Sequence, residues 1–169
     1  MSSCGTIQLA APRLEDGKSL RIAGLSEHYT GATMSSIYQL WEKLMPHLGR
    51  IPGRTSPVAY GLVMAPDKGQ KGIKYVAGVE VALGADVGDF TSVIIPAGRY
   101  LIFRHDGHVS KLNATMDQIW HQWLPASDCQ AAFDELRATV ERYGEGFDPR
   151  TGFGDMEVWL PVRATGYVG

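Results

Sequence analysis

Two glutamates stand where a carboxylate is costly. Glu157 lies inside the apolar run Met156-Glu157-Val158-Trp159-Leu160, and Glu80 inside Val79-Glu80-Val81-Ala82-Leu83. Burying a charged carboxylate costs free energy unless a cation meets it. Pairing with Arg99, Arg104 or a lysine would make such a group structural. A positively charged ligand would make it a binding group, and surrounding aromatic faces would add about 0.5–2 kcal/mol of cation–π attraction. Aromatic side chains are available for that work. Trp159 is two residues from Glu157 and shares its strand face. Tyr60, Tyr75 and Tyr100 each combine a ring that can be buried with a hydroxyl that needs a partner. Trp41 and Trp120 fall on helix faces, where core packing and reach over a cleft edge are both open. Phe103 falls on the face opposite Tyr100.

Other chemistries find less support. His105-Asp106-Gly107-His108 places two histidines three apart in a turn, but no third ligand stands at a recognisable spacing. A solvated turn or a helix cap accounts for them, and no metal or other cofactor is expected. Gly144-Glu145-Gly146 and Gly152-Phe153-Gly154 lack the strand-before, helix-after context and the lysine of a phosphate loop, and read as a loop over a cleft. Ser26, Ser35 and Ser36 have no nucleophile-elbow motif around them.

The elements that must position these residues appear twice. Leu40-Trp41-Glu42-Lys43-Leu44-Met45-Pro46 is echoed by Ile119-Trp120-His121-Gln122-Trp123-Leu124-Pro125, and the two glutamate strands echo each other at nearly the same offset. Two similar halves in one chain pack about a pseudo-two-fold axis. The first half reads β-α-β-β. It has strands over 20–29, 58–65 and 73–83, and a helix from Thr33 or Ser35 to about Leu48, whose apolar residues recur three and four apart. Ile7 to Pro12 reads as a further strand and Glu15-Asp16-Gly17-Lys18 as a turn. In the second half, strands cover 90–95, 99–105 and 155–162, and a helix ends before Pro125. Residues 131–143 read as a third helix, with Phe133, Leu136 and Val140 as its apolar line. Residues 1–6 are expected to be a disordered tail. Residues 7–169 form one domain, with halves 7–84 and 89–163. The fold class is α+β: tandem β-α-β-β halves, one antiparallel sheet, helices on one face and a ligand cleft on the other.

Bulk properties narrow the partners. A net charge of −2 and a pI near 6.2 do not give the basic field that nucleic acid requires. No apolar stretch is long enough to cross a membrane, and the first residues lack a signal-peptide layout. The two cysteines, Cys4 and Cys129, suggest no disulfide framework. A cytoplasmic location follows as the expectation, with a protein partner or a homodimer left open.

Four segments resemble a known family. Pro96-Ala97-Gly98-Arg99-Tyr100-Leu101-Ile102-Phe103-Arg104-His105-Asp106-Gly107 is similar to the "PAGxYAVFxHxGP" segment of the GyrI-like, or AraC-type effector-binding, superfamily. Met156 to Val162 resembles its closing "xExYxPV" strand, with Trp159 where Tyr or Phe is commoner. Pro57 to Leu62 and Tyr75 to Val81 resemble the corresponding strands of its first half. The resemblance spans about residues 7–163 and implies a central cleft. It also implies a buried glutamate ringed by aromatics that takes amphipathic cations. Glu157 is the matching position, and Glu80 its symmetry-related counterpart. The chain carries no DNA-binding module of its own and looks like a free-standing version. The expected function is therefore uptake of drug-like organic cations between Glu157, Trp159, Glu80, Tyr100, Tyr60, Tyr75, Trp120 and Trp41. Two alternatives remain open: a hydrolase using cleft glutamates, and an interaction module such as a gyrase inhibitor.

Overall fold

The computed structural model describes residues 11–127, 129, 131 and 139–163. Eight strands form one antiparallel sheet: β1 (Arg13–Gly17), β2 (Leu20–Tyr29), β3 (Arg54–Met64), β4 (Ile73–Val81), β5 (Thr91–Ile95), β6 (Gly98–Arg104), β7 (Thr139–Tyr143) and β8 (Met156–Val162). Their order is β1-β6-β8-β7-β3-β4-β2-β5. The order is symmetric. β2, β4 and β3 mirror β6, β8 and β7 about a seam where Gly61 of β3 faces Glu141 of β7. Each half is β-α-β-β, with α1 (Ile37–Leu44) in the first and α2 (Leu112–Gln118) in the second. The outermost strands are exchanged. β1, which precedes the first half, pairs with β6 of the second, and β5, which precedes β6, pairs with β2 of the first.

Both helical segments are short and extended by irregular turns. One turn of 3-10 helix precedes α1 and about two turns follow it, and a wide π-type segment, Ile119–Trp123, continues α2. Alternation along the strands separates two apolar layers. Tyr75, Ala77, Val79 and Val81 lie with Leu40 and Leu44 beneath α1. Phe103, Met156, Val158 and Leu160 lie with Leu112 and Ile119 beneath α2. The opposite face is filled by its own side chains. Ile22 and Ile95 from one flank share a buried cluster with Tyr100 and Ile102 from the other, together with Leu62, Val76 and Val140. One cluster holding residues from both flanks requires the sheet to curl strongly, as its twist allows.

Two elements differ from the sequence expectation. Residues 139–143 are the strand β7, where the apolar spacing predicts the end of a third helix. Val140 therefore packs on the face away from the helices. The strand fills the slot between β3 and β8, and ladder hydrogen bonds on both sides outweigh a weak helical period over five residues. Phe133 and Leu136 lie outside the described residues. Glu15, Asp16 and Gly17 belong to β1 rather than to a turn, held there by pairing with β6. The expected strand over 7–12 falls mainly outside the described residues, as does the tail over 1–6.

A polar clip joins β6 to α2. His105 is 2% exposed. Its Nε2 lies 2.9 Å from the His108 carbonyl, which can only accept, and its Nδ1 lies 2.8 Å from the Thr115 hydroxyl. His105 thus satisfies the buried Thr115 hydroxyl and the part-buried His108 carbonyl. His105→Ala leaves a cavity and an unpartnered Thr115, and should cost about 3 kcal/mol in a denaturant unfolding series.

Candidate functional site

The eight residues expected to line a cleft are divided by the sheet. Glu157, Trp159, Glu80, Tyr100 and Tyr60 lie on the face away from the helices. Tyr75, Trp41 and Trp120 lie on the helix face.

On the far face, Glu157 is already paired. Its Oε2 lies 2.9 Å from Arg13 Nη2, and its Oε1 lies 3.7 Å from Arg142 Nη1. Trp159 Nε1 donates to the same Oε1 at 3.1 Å. Arg13 also pairs with Glu15, and Arg142 with Asp155. The structural alternative for this carboxylate is the one that the geometry favours, although the cations are Arg13 and Arg142 rather than Arg99 or Arg104. Arg99 pairs with Asp16, and Arg104 with Asp106. Trp159 packs its ring against Tyr100 at 5.7 Å. Tyr60 is buried, and its phenol is pushed up first by burial and then by Glu80, against an opposing pull from Arg142. Glu157→Gln should lower stability by about 1 kcal/mol, the scale of a partly exposed ion pair, and should leave ligand affinity unchanged. Thermal unfolding and a binding titration of the same sample check both halves of that expectation.

On the helix face, a different carboxylate sits at the centre. Glu141 is 8% exposed and lies at the seam between the halves. Its Oε1 accepts from the Tyr75 hydroxyl at 2.6 Å and from the Tyr143 hydroxyl at 2.8 Å. The Trp41 indole N–H donates to the Tyr75 oxygen at 3.0 Å, and the Trp41 ring meets Tyr143 edge-on at 5.4 Å. Among the described residues no arginine, lysine or histidine pairs with Glu141, and Oε2 has no hydrogen bond. Burial raises its carboxyl above the usual glutamate range, and the two phenols only partly oppose this. Burial also pushes both phenols well above the ordinary tyrosine range, so they stay protonated and act as donors.

The sequence places these groups simply. Glu141 and Tyr143 are two apart on β7 and share a face. Tyr75 arrives from β4, one strand farther out, and crosses over Gly61 because that residue has no side chain to stop it. Trp41 straddles the seam, touching the clusters of both halves. Tyr38 and Met45 lie three and four residues away from it on the helical segment, so they extend the Trp41 stripe, and both are exposed. Met116, Trp120 and Trp123 from the α2 side pack against the same cluster as Tyr143, and Phe147 meets the Tyr143 ring at 5.1 Å. The result is an aromatic cluster at the seam on the helix side, around a carboxyl that no cation compensates among the described residues. Glu141 and Tyr143 were missed because the segment reads as helix. The duplication was the signal that could have found them, since a second β-α-β-β half needs a strand between its helix and its closing strand.

Domains of this class carry two β-α-β-β halves on one shared sheet, with their helices along a common face. Within that class, the chain belongs to the GyrI-like small molecule binding domain family, whose model matches residues 10–163. Among solved structures it is similar to SAV2435 bound to tetraphenylphosphonium, with a TM-score of 0.73 and 20% identity over 92% of this chain and 95% of that one. It is also similar to an integron cassette protein from the mobile metagenome of Vibrio cholerae, with a TM-score of 0.64 and 17% identity over 92% and 97% of the two chains. A curated relative is the transcriptional regulator BrlR of Pseudomonas aeruginosa, 29% identical over 153 residues. The match covers 89% of this chain and 54% of BrlR, so the chain spans about half the length of that regulator. Among the described residues no helix is long and apolar enough to cross a membrane.

Proposed function

We propose that the protein binds amphipathic organic cations at the helix-side aromatic cluster, with Glu141 supplying the attracting charge and Trp41, Tyr75, Tyr143 and Trp120 the aromatic surround. The observation that carries this reading is a buried carboxyl held by two neutral phenols and, among the described residues, by no cation. Such a group gains most from a positive guest that brings little hydration with it. Aromatic faces add cation–π attraction, and the flat indoles accept many shapes. Trp41 covers the carboxyl, so its indole must swing aside for a bulky guest to enter. The tetraphenylphosphonium bound by SAV2435 fits this description of a guest. Sensing, sequestration and signalling to a partner are all consistent with such uptake.

Trp41 and Trp120 make the test direct. Titrating tetraphenylphosphonium into the protein should quench tryptophan fluorescence saturably, and Trp41→Phe should remove most of the signal while weakening binding several-fold, the scale of one cation–π contact. Unsaturable quenching, or equal affinity for a neutral aryl phosphorus compound such as triphenylphosphine oxide, would overturn the reading.

A further inference from the structure

We infer that the cluster exchanges a proton for its cation: a positively charged guest arriving at Glu141 drives the carboxyl proton out to solvent. This rests on the cation-binding reading above and adds its regulation by pH.

The geometry carries the inference. Tyr75 from β4 and Tyr143 from β7 face Glu141 with neutral hydroxyls, and Trp41 from α1 caps them with an uncharged indole. Across the ladders, β3 presents Gly61 and β8 presents Val158, neither of which titrates. The α2 residues clustered with Tyr143, including Leu112, Met116 and Ile119, are apolar. Arg142 is adjacent in sequence but points to the other face, where it meets Asp155 and Glu157. The carboxyl therefore has no positive neighbour among the described residues to hold it ionised, and a proton is the smallest cation that can neutralise it until a guest arrives. Burial shifts its titration upward accordingly. Both phenols are held protonated, so neither is the source of a released proton.

The exchange balances in charge. The O–H bond of the acid breaks, its proton leaves to buffer, and the carboxylate that remains meets the guest's single positive charge. Uptake leaves the cluster's net charge unchanged, so the guest escapes the cost of burying an uncompensated charge.

Calorimetric titration of tetraphenylphosphonium chloride, in paired buffers of different ionisation enthalpy and from about pH 5 to pH 8, tests this. Below the carboxyl's own titration point the observed heat should depend on the buffer and report close to one proton released. Apparent affinity should fall about tenfold per pH unit there and level off above it. Glu141→Gln, which keeps an acceptor for both phenols, should bind weakly, show no pH dependence and release no proton. Saturable binding with constant affinity and buffer-independent heat would overturn the exchange and leave cation binding intact. Proton release that persists in Glu141→Gln would also overturn it. No saturable binding at any pH would sink the cation-binding reading together with it.

Discussion

Glu141→Gln should weaken tetraphenylphosphonium binding on the order of a hundredfold, and should make the protein more heat-stable at neutral pH. At an effective dielectric near 20 and a separation of about 5 Å, a carboxylate attracts a monovalent cation by about 3 kcal/mol, which sets that scale. The stability gain has the opposite origin. Burial raises the Glu141 carboxyl above the ordinary value of 4.5. Below that ordinary value the acid is neutral in both folded and unfolded chains, and the fold keeps its full stability. As pH climbs through the raised folded value, the unfolded chain has already ionised while the native state must ionise a buried group. Stability is lost through that window. Glutamine has no proton to lose and escapes the decline. Melting curves across pH should show the variant above the wild type at neutral pH, with the two converging near pH ~4. A melting temperature below wild type at neutral pH would mean that the phenols compensate the charge fully.

Gly61→Ala should cost more than any other single methyl in the cluster. A Cβ there would lie closer than 3.0 Å to both the Tyr75 hydroxyl and the Glu141 carboxylate. Neither can step aside. Tyr75 is 1% exposed and tied at its hydroxyl to both Trp41 and Glu141. The conflict is purely steric, since Gly61 has no positive φ. Overpacking on this scale costs about 3 kcal/mol, or a fall in melting temperature of about 10 °C for a domain of this size. Cation affinity should fall with it, because the displaced phenol no longer orients the carboxyl. Gly84→Ala, whose Cβ would meet nothing within 4 Å, serves as the neutral control.

The contrast between Glu141 and Glu157 shows what could be read from the residues and what could not. Period-two alternation gave the faces of β8 correctly, with Met156, Val158 and Leu160 toward the helices. The same alternation sends Glu157 the other way. No local pattern announces that Arg13, 144 residues distant, comes to meet it. Ion pairs across a sheet are made by topology, and topology here includes an exchange of edge strands that no short motif encodes. Thr139 to Tyr143 failed for another reason. Five residues are too few for a period to declare itself, so Val140 fits a helical line through Leu136 as well as it fits a strand face. Its strand character comes from the vacancy between β3 and β8. Trp41 and Trp120 were legible as a duplicated pair, while the place of Trp41 at the seam became clear only with the helices docked.

The crosswise placement of β1 and β5 makes the duplication irreversible in practice. A gene split near Asp86 would yield one fragment whose β2 has lost its outer neighbour and another whose β6 has lost its own. Each piece would show raw backbone to water on the flank that its former sibling had sealed. Through that exchange of edge strands the two repeats stand or fall as one cooperative body.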